Sequence, residues 1–438
     1  MTIELLYDLY SRHSSIQTDT RQLKQGDLFF ALKGPNFNGN AFALRALELG
    51  AAYAIIDEPV VTPSVTAAST PNDRLILVQD VLGTLHELAL YHRRQFDIPF
   101  IAITGSNGKT TTKELVHTVL STTFQTYTTK GNLNNHIGIP LTILSVQRDA
   151  EFAVIEMGAN HQKEIEGYCQ YTLPTHGIIT NIGRAHLEGF GGAEGVRKGK
   201  GELYDYLRDE GGTAFVLKDS EVLRQMSRGI PHVVTYGTAD ADFVGRVIPG
   251  KDSFLHVEMT RGLAGSMTTQ LVGDYNLPNV LVAVAVGKHF GVPDAKIRQA
   301  IAQYTPSNSR SQLIERDGNH IILDAYNANP SSMKAAIENF AKLPTDTNTG
   351  GKVLVLGAMA ELGPESVNEH KGIVDLIGEY PWAQVVLVGG DFLKVDHPYR
   401  SFANSAEAAE WFRGAGLKGA WVLVKGSRSS KMEVVLGE

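Results

Sequence analysis

Pro99-Phe-Ile-Ala-Ile-Thr-Gly-Ser-Asn-Gly-Lys-Thr-Thr-Thr-Lys-Glu114 is the stretch on which the reading of this chain turns. Phe100 to Ile103 is an unbroken apolar run and predicts a buried strand. Gly105 and Gly108 bracket a tight turn, and Leu115, Val116, Val119 and Leu120 then recur at helical spacing. Strand, glycine loop, Lys-Thr and helix in that order form a phosphate cradle. The backbone N–H groups of Gly105, Ser106, Asn107 and Gly108 are free to close on phosphate oxygens, and the helix N-terminus adds favourable charge. Lys109 is placed to reach the β/γ-phosphates of ATP, and the hydroxyl of Thr110, followed by Thr111, to ligate Mg²⁺. The spacing departs from the standard G-x-x-x-x-G-K-[ST], because Ile103 stands where a glycine is wanted. The alternative is an ordinary glycine-rich turn, which has no need of Lys-Thr-Thr-Thr at its exit.

A length of 438 residues suggests about three domains at ~150 residues each. With 43% hydrophobic residues the chain can bury substantial cores, and a net charge of −7 argues against a general nucleic-acid binder. The single cysteine, Cys169, excludes a disulfide framework within one chain and fits a reducing compartment. No apolar run approaches the ~18 residues of a membrane span. Met1-Thr-Ile-Glu-Leu-Leu-Tyr-Asp8 lacks the basic start and apolar core of a signal peptide. A soluble cytoplasmic protein is the expected class.

Outward from the phosphate loop, the pattern is α/β throughout. Residues 1–97 read as a small α/β module, with strands near Asp27–Leu32, Ala52–Ile56 and Leu75–Val78 and helices near Ala41–Leu49 and Val81–Gln95. Residues 98–305 repeat one theme, in which apolar strands end in polar residues: Phe152 to Glu156, Gly177 to Ile182, Thr213 to Leu217. Such runs, alternating with helices, suggest a P-loop-type parallel sheet covered on both faces, with ligands beyond the carboxyl ends of its strands. About 240–272 reads as a β-rich insertion. A break near Gln303–Arg310 opens a third region, 306–438, whose strands at Ile321–Asp324, Val353–Gly357, Val385–Gly389 and Trp421–Lys425 predict a Rossmann-like doubly wound domain. It has no G-x-G-x-x-G after its first strand, so a dinucleotide site is not supported.

The strand ends carry the other candidates. Glu156 is either an Mg²⁺ ligand or a solvated carboxylate. His186, in Gly183-Arg-Ala-His186, reads on its own as a structural histidine or as a metal ligand. Arg197-Lys-Gly-Lys200 reads by default as a solvated basic patch, and otherwise as an offset to phosphate charge. Lys130-Gly-Asn-Leu-Asn-Asn135 suits a phosphate or sugar, or is an Asn-rich turn. Asp324-Ala-Tyr-Asn-Ala-Asn-Pro330 ends a strand with a carboxylate and two amides, suited to a ribose or polar substrate. Lys425-Gly-Ser-Arg428 presents two cations, suited to a carboxylate or phosphate.

The order of these motifs resembles the Mur ligase family. The resemblance rests on Thr104-Gly-Ser-Asn-Gly-Lys-Thr-Thr111, Gly131-Asn-Leu-Asn-Asn135, Glu156-Met-Gly-Ala159 and Asn181-Ile-Gly-Arg-Ala-His-Leu-Glu188. It continues through Lys200-Gly-Glu202, Asn276-Leu-Pro-Asn279, Asp324-Ala-Tyr-Asn-Ala-Asn-Pro330 and Lys425-Gly-Ser-Arg428, so it covers nearly the whole chain. It implies an ATP-dependent amide ligase of peptidoglycan precursor synthesis, working through an acyl phosphate. The substrates implied are UDP-N-acetylmuramoyl-tripeptide and D-alanyl-D-alanine, and the expected state is a monomer. The first domain would bind the UDP end, the middle one ATP and the third the dipeptide.

Residue by residue, the resemblance makes Lys109, Glu156, His186 and Lys200 catalytic. It makes Thr110, Glu156, His186 and Lys200 metal ligands, with Lys200 carrying a CO₂-derived carbamate and Lys198 in reserve for that role. Asn276 and Asn279 match the region near adenine, and Asp324 the region near ribose. Asp19, Thr20, Arg21, Thr129, Asn134 and Asn135 match regions near the UDP-bearing substrate. Tyr326, Asn327, Asn329, Lys425 and Arg428 match further substrate-binding positions. Departures from the family pattern are Tyr275, Ala325, Ala358, Asn40 and His136. They bear on adenine-side and dipeptide-side details. A folylpolyglutamate synthase-like ligase is a rival within the superfamily. A nucleotide-dependent switch is a rival outside it, but has no need for the clusters at 324–330 and 425–428.

Overall fold

The computed structural model describes residues 1–13, 15–59, 73–250, 252–306, 309–343 and 350–437. The chain divides into two compact units. The first comprises Met1–Ala102, Gln125–Met157 and Glu166–Thr175. Its four-stranded parallel sheet runs Ile16–Gln17, Leu28–Phe30, Tyr53–Ile56, Leu75–Leu77 in sequence order. Phe29, Ala31, Ala43, Ala46, Ala54 and Ile56 pack a small core between this sheet and helix Ala43–Glu48. Helix Val81–Arg93 starts where Asp80 accepts hydrogen bonds from the N–H groups of Leu82 and Gly83, an N-cap that the strand–Asp–helix order allows. Thr126–Thr128 and Phe152–Glu156 form a further parallel pair. Every residue of Phe152–Glu156 is buried, as a continuous apolar run in a parallel sheet requires.

The strand Phe100–Thr104, also fully buried, begins in the first unit and ends in the second. The second unit comprises Ile103–Phe124, Gly158–Ile165 and His176–Glu438. His176–Ile179, Thr213–Leu217, His232–Gly237 and Phe243–Ile248 pair in parallel, as the apolar runs predicted. The β-rich segment at 240–272 extends this array antiparallel through Phe254–Arg261 and Gly265–Val272. Burial alternates along Phe254–Met259, which marks a sheet with one wet face. Helix Leu277–His289 is buried almost all round, and no polar stripe relieves it.

A six-stranded sheet follows in the order Gln312–Arg316, Asn319–Asp324, Trp421–Lys425, Lys352–Gly357, Gln384–Val388, Arg400–Phe402. The first strand is antiparallel to its neighbour across the Asp317-Gly318 turn, where both residues have positive φ. The others are parallel. The last strand in sequence, Trp421–Lys425, inserts between two earlier ones, and its register sets Lys425 beside Asp324. Two clusters a hundred residues apart in sequence thus meet at the strands' carboxyl ends. The break predicted near 303–310 follows the end of helix Asp294–Gln303; Ser307 and Asn308 lie outside the described residues. No helix of the described residues is long and apolar enough to cross a membrane.

Candidate functional site

In the second unit, the phosphate loop is built as the glycines predicted. Gly105 (φ 139°) and Gly108 (φ 77°) hold backbone conformations that other residues adopt rarely and at a cost, and Gly108 starts helix Lys109–Ser121. The loop is clamped by the segment after strand His176–Ile179. Thr180 Oγ1 donates to Asn107 O at 2.6 Å, Asn181 Nδ2 to the same oxygen at 3.0 Å, and Asn107 N donates to Asn181 Oδ1 at 3.0 Å. Ser106 Oγ accepts from Gly183 N at 2.8 Å. Lys109 folds back, its Nζ 2.8 Å from Gly105 O. The ammonium therefore lies over the loop, where an anion would meet it. Thr110 is buried and Thr111 half-buried on the first helical turn.

Behind the loop, Asn279 Oδ1 accepts from Thr112 Oγ1 at 3.0 Å and Asn279 Nδ2 donates to Asn276 Oδ1 at 3.0 Å. Asn276 Nδ2 in turn donates to Val272 O. A Cβ on Gly108 would come within 2.8 Å of Asn279 Oδ1. The two asparagines expected near adenine thus tie the phosphate-loop helix to helix Leu277–His289.

Lys200 overturns the default reading of the basic run. It lies in helix Ala193–Asp209 and is 1% exposed, whereas Lys198 on the opposite side is exposed. Its Nζ donates to Ala159 O at 3.0 Å and lies 5.0 Å from the centre of the Phe190 ring. Burial, then the nearby Lys109 cation, push the Lys200 ammonium well below the usual lysine range, against the opposing pull of Glu164 and Glu202. That shift eases loss of the ammonium proton, which a lysine amine must shed before it can act as a nucleophile.

His186 adopts a left-handed backbone (φ 53°) at the start of helix Leu187–Phe190, and its Nδ1 lies against Glu361 Oε2. That contact holds the Glu361 carboxyl below its usual range. Beside it, Arg184 Nη2 pairs with Glu369 Oε1 at 2.5 Å. Arg184 N donates to Ser331 Oγ at 3.0 Å, and Asn329 Nδ2 donates to Asn107 Oδ1 at 2.7 Å. Asn329 also caps helix Pro330–Lys342, in a capping box with Ser332. One side chain thereby joins the start of that helix to the phosphate loop.

Asp324 and Lys425, predicted as separate ligand contacts, are paired: Nζ to Oδ2 at 2.6 Å, with Lys425 2% exposed. Asp324 Oδ1 also accepts from Ser311 N at 3.1 Å. Asn327 accepts from Ala328 N through its side chain and from Lys425 through its carbonyl. The Tyr326 ring is covered by the Arg310 guanidinium at 3.6 Å. Arg428 is exposed and paired with Glu433. Tyr275 is half-buried, its hydroxyl 2.8 Å from Ser311 Oγ, and desolvation raises its pKa. Ala325 and Ala358 are buried.

In the first unit, Glu156 is 1% exposed at its strand end. Its Oε1 accepts from Asn134 Nδ2 at 2.7 Å and its N–H donates to Thr129 Oγ1 at 3.0 Å. The solvated-carboxylate reading of Glu156 is thus corrected. Of two residues matched to the UDP-bearing substrate, Asn134 donates to this carboxylate and Thr129 accepts from the Glu156 backbone N–H. Asn135 Oδ1 accepts from the N–H groups of Ile137 and Gly138. Asp19 caps Arg21 N and pairs with the Arg21 guanidinium, which holds Asp19 down to about 2; Thr20 between them is half-buried. Asn40 braces Asp57 and accepts from the N–H groups of Asp57 and Glu58.

Among the described residues no group of three or more His, Cys, Asp or Glu is gathered to hold a metal by itself. Mg²⁺ asks for less, since it keeps waters and binds through one or two carboxylates plus substrate phosphates. A buried carboxylate at Glu156 and a hydroxyl at Thr110 are of that donor type. Sequence reasoning missed Glu361, Thr180 and Thr112. Glu361 lies past the strand Lys352–Gly357, behind Ala358, Met359 and Ala360, so the strand-end pattern that singled out Glu156 does not reach it.

The clamped glycine loop, the lysine over it and the parallel strands behind it define a nucleotide-phosphate-binding α/β protein. Three family descriptions match the chain: "Mur ligase family, catalytic domain" at residues 12–93, "Mur ligase middle domain" at 103–287 and "Mur ligase, glutamate ligase domain" at 309–428. A Bacillus subtilis protein named UDP-N-acetylmuramoyl-tripeptide–D-alanyl-D-alanine ligase is 33% identical, over 96% of this chain and 92% of its own. The crystal structure of MurF from Acinetobacter baumannii superposes with a TM-score of 0.84 at 30% identity, over 96% of this chain and 92% of that one. The MurF ligase from Thermotoga maritima, solved in complex with ADP, gives 0.84 at 27% identity over 98% and 97%. The chain belongs to the Mur ligase family.

Proposed function

We propose that this chain is an ATP-dependent amide ligase that adds D-alanyl-D-alanine to UDP-N-acetylmuramoyl-tripeptide, giving UDP-N-acetylmuramoyl-pentapeptide. The observation that carries the reading is the near-full-length match to relatives named for this reaction. A formed phosphate loop agrees with it. Residues 1–97 would take the UDP-bearing substrate, 98–305 ATP and 306–438 the dipeptide, in a cytoplasmic, monomeric enzyme.

In this reading a carboxylate oxygen of the tripeptide attacks the γ-phosphorus, ADP leaves, and an acyl phosphate results. The amine of D-alanyl-D-alanine then attacks the acyl carbon. It loses a proton, and inorganic phosphate departs with the C–O electron pair. The difficulty of the first step is that two anions must meet. Ser106 N–H and Asn107 N–H are already donated to Asn181, so Lys109 and the N-terminus of helix Lys109–Ser121 would offset that repulsion and stabilise charge spread over the transferring oxygens. Mg²⁺, when bound, would supply further charge neutralisation, with Thr110 and Glu156 as ligands, His186 as a ligand of a second metal and a carbamate on Lys200 as a further oxygen donor. The burial of Lys200 supports this last assignment: a neutral amine can take up CO₂, and the product replaces a cation by an anionic oxygen donor.

The test is phosphate release from ATP with each substrate alone and with both, the product being weighed. Release that requires both, with a pentapeptide product, is the expected result. Turnover indifferent to both substrates would overturn the reading in favour of a nucleotide-driven switch.

A further inference from the structure

We propose that Glu433 is a positioning residue: it holds the Arg428 guanidinium ready for the free carboxylate of the dipeptide. The inference rests on the ligase reading and deepens it, by saying which cation of the 425–428 cluster meets that carboxylate and what keeps it in place. The two cations have different fates. Lys425 is 2% exposed, and its Nζ is committed to Asp324 Oδ2 at 2.6 Å and Asn327 O at 3.3 Å. Arg428 leaves the same strand end for solvent, its side chain 69% exposed. Both lie in the second compact unit, at the carboxyl end of strand Trp421–Lys425, where an open α/β sheet takes its ligands.

A chance surface ion pair joins two side chains that both move, and is worth little. Here one partner is anchored. Glu433 sits on the short 3₁₀ turn Met432–Leu436, and Met432, Val435 and Leu436 are buried in the core of the six-stranded sheet. Lys431 (φ 46°) turns the chain into it. Gly357 and Gly426 make room for Met432: a Cβ on either would come within 2.6 Å or 2.5 Å of its Cγ. The loop between is tied down as well. Ser427 Oγ donates to Ala358 O at 2.6 Å, and Ser430 Oγ to Ser427 O at 2.7 Å.

The Glu433 side chain is 19% exposed. Its Oε1 accepts from Arg428 Nη1 at 3.1 Å, while its Oε2 is closed off from solvent and has no hydrogen-bond partner among the described residues. Leaving a carboxylate oxygen dry and unpaired is costly, so the charge of Glu433 is met through Arg428. The contact is one-pronged. The rest of the guanidinium's planar fork stays open to a second carboxylate, in the arrangement a bidentate contact uses. Ordering a long side chain weakens binding when it happens at the moment of binding; Glu433 has ordered this one beforehand. The dipeptide's carboxylate takes no part in making the new amide bond. The contact therefore acts on binding of the dipeptide and leaves the chemical steps alone.

The experiment uses the full-length protein with saturating ATP, Mg²⁺ and UDP-N-acetylmuramoyl-tripeptide. D-alanyl-D-alanine is compared with D-alanyl-D-alaninamide, whose carboxylate is replaced by a neutral carboxamide. Glu433→Gln keeps the shape of the side chain and removes its charge. It should raise KM for D-alanyl-D-alanine by about 3- to 10-fold, the cost of ordering one long side chain, with kcat unchanged. It should leave kcat/KM for the amide as in the wild type, and Glu433→Asp should restore part of the lost KM. Arg428→Lys, which keeps the cation and loses the fork, should cut the wild-type preference for the acid over the amide.

An equal loss on both dipeptides, a fall in kcat alone, or no loss in Glu433→Gln overturns the proposal. An acid-over-amide preference unchanged in Arg428→Lys overturns it too, whether or not the Glu433 variants fold. A second readout needs no activity: the motion of the Arg428 Nε–H by ¹⁵N relaxation, assigned as the signal lost in Arg428→Lys. It should be restricted in the wild type and freer in Glu433→Gln. Ligation of D-alanyl-D-alanine with no Glu433 effect sinks this proposal and leaves the ligase reading standing. A protein that ligates neither dipeptide overturns the ligase reading and the assigned ligand together. The Arg428 motion then decides the positioning alone, and a guanidinium equally restricted in Glu433→Gln overturns that as well.

Discussion

Gly105→Ala is the sharpest perturbation of the phosphate loop. A methyl group at this position would overlap the Thr180 hydroxyl and come within 3.0 Å of Thr180 N and 3.1 Å of Asn181 N. Two of those atoms are backbone and cannot swing aside. Three costs follow from the structure. The backbone at φ 139° is disfavoured for alanine by about 1–2 kcal/mol. Forcing a methyl group into a filled space costs about 1–3 kcal/mol. Displacing Thr180 breaks its 2.6 Å hydrogen bond to Asn107 O, worth about 1 kcal/mol. The sum is about 3–6 kcal/mol, borne by the loop that binds phosphate.

Gly291→Ala is the matched control. Its φ is +77°, and a Cβ there meets nothing within 4 Å, so only the backbone cost of about 1–2 kcal/mol remains. Urea unfolding and ADP affinity by calorimetry would be measured for both variants. At 1.36 kcal/mol per decade, Gly105→Ala should weaken ADP binding by about 100-fold or more. Gly291→Ala should bind ADP as the wild type does. If Gly105→Ala binds ADP within threefold of wild type and unfolds like Gly291→Ala, the clamp by Thr180 and Asn181 is not what shapes the loop.

Three further outcomes are expected. Lys425→Met, which strands the Asp324 carboxylate beside a 2%-exposed position, should cost about 3 kcal/mol in urea unfolding. The double variant with Asp324→Asn should lose clearly less than the two singles added, and strict additivity would show that the pair is not coupled. Burial among Phe215, His289 and Phe290 lowers His176 to about 4 from 6.5. A lowered histidine pKa means the unfolded chain takes up the proton first. The stability it contributes is full above pH 6.5 and drains away as pH falls towards 4, by about 3 kcal/mol in all. His176→Phe should flatten the pH dependence of unfolding in that window, and an unchanged slope would remove the assignment. Lys200→Ala should be nearly inactive and partly rescued by formate or acetate, small carboxylates that can stand where the carbamate would; full activity without them ends the carbamate assignment.

Local signals carried the sequence a long way. A strand that is apolar at successive positions must be buried on both faces, so the runs Phe100–Ile103 and Phe152–Ile155 were readable from composition alone. Two glycines at a strand-to-helix turn announce positive φ, because no other residue holds it cheaply, and Lys-Thr at the exit announces phosphate. Neither inference needs a partner from elsewhere in the chain. What local signals could not reach was every property that depends on which distant residue arrives alongside. Arg197-Lys-Gly-Lys200 has the composition of a wet basic patch. Helical rotation and packing send Lys198 to solvent and Lys200 to the interior, and burial then changes the chemistry of its amine.

The same division runs through the strand ends. The sequence by itself determined that Asp324 and Lys425 end apolar strands, since each run stops at a charge. Only the insertion of Trp421–Lys425 beside Asn319–Asp324 decided that the two charges face one another and satisfy each other rather than both awaiting a ligand. Glu361 and His186 are separated by a whole sheet's worth of chain. Their meeting follows from how the Gly183–Glu188 segment docks on the loop after Lys352–Gly357, which is a matter of three-dimensional register. Periodicity and turn chemistry act over a few residues and are written locally. Pairing and desolvation are set by neighbours in space, and those exist only once the chain has folded.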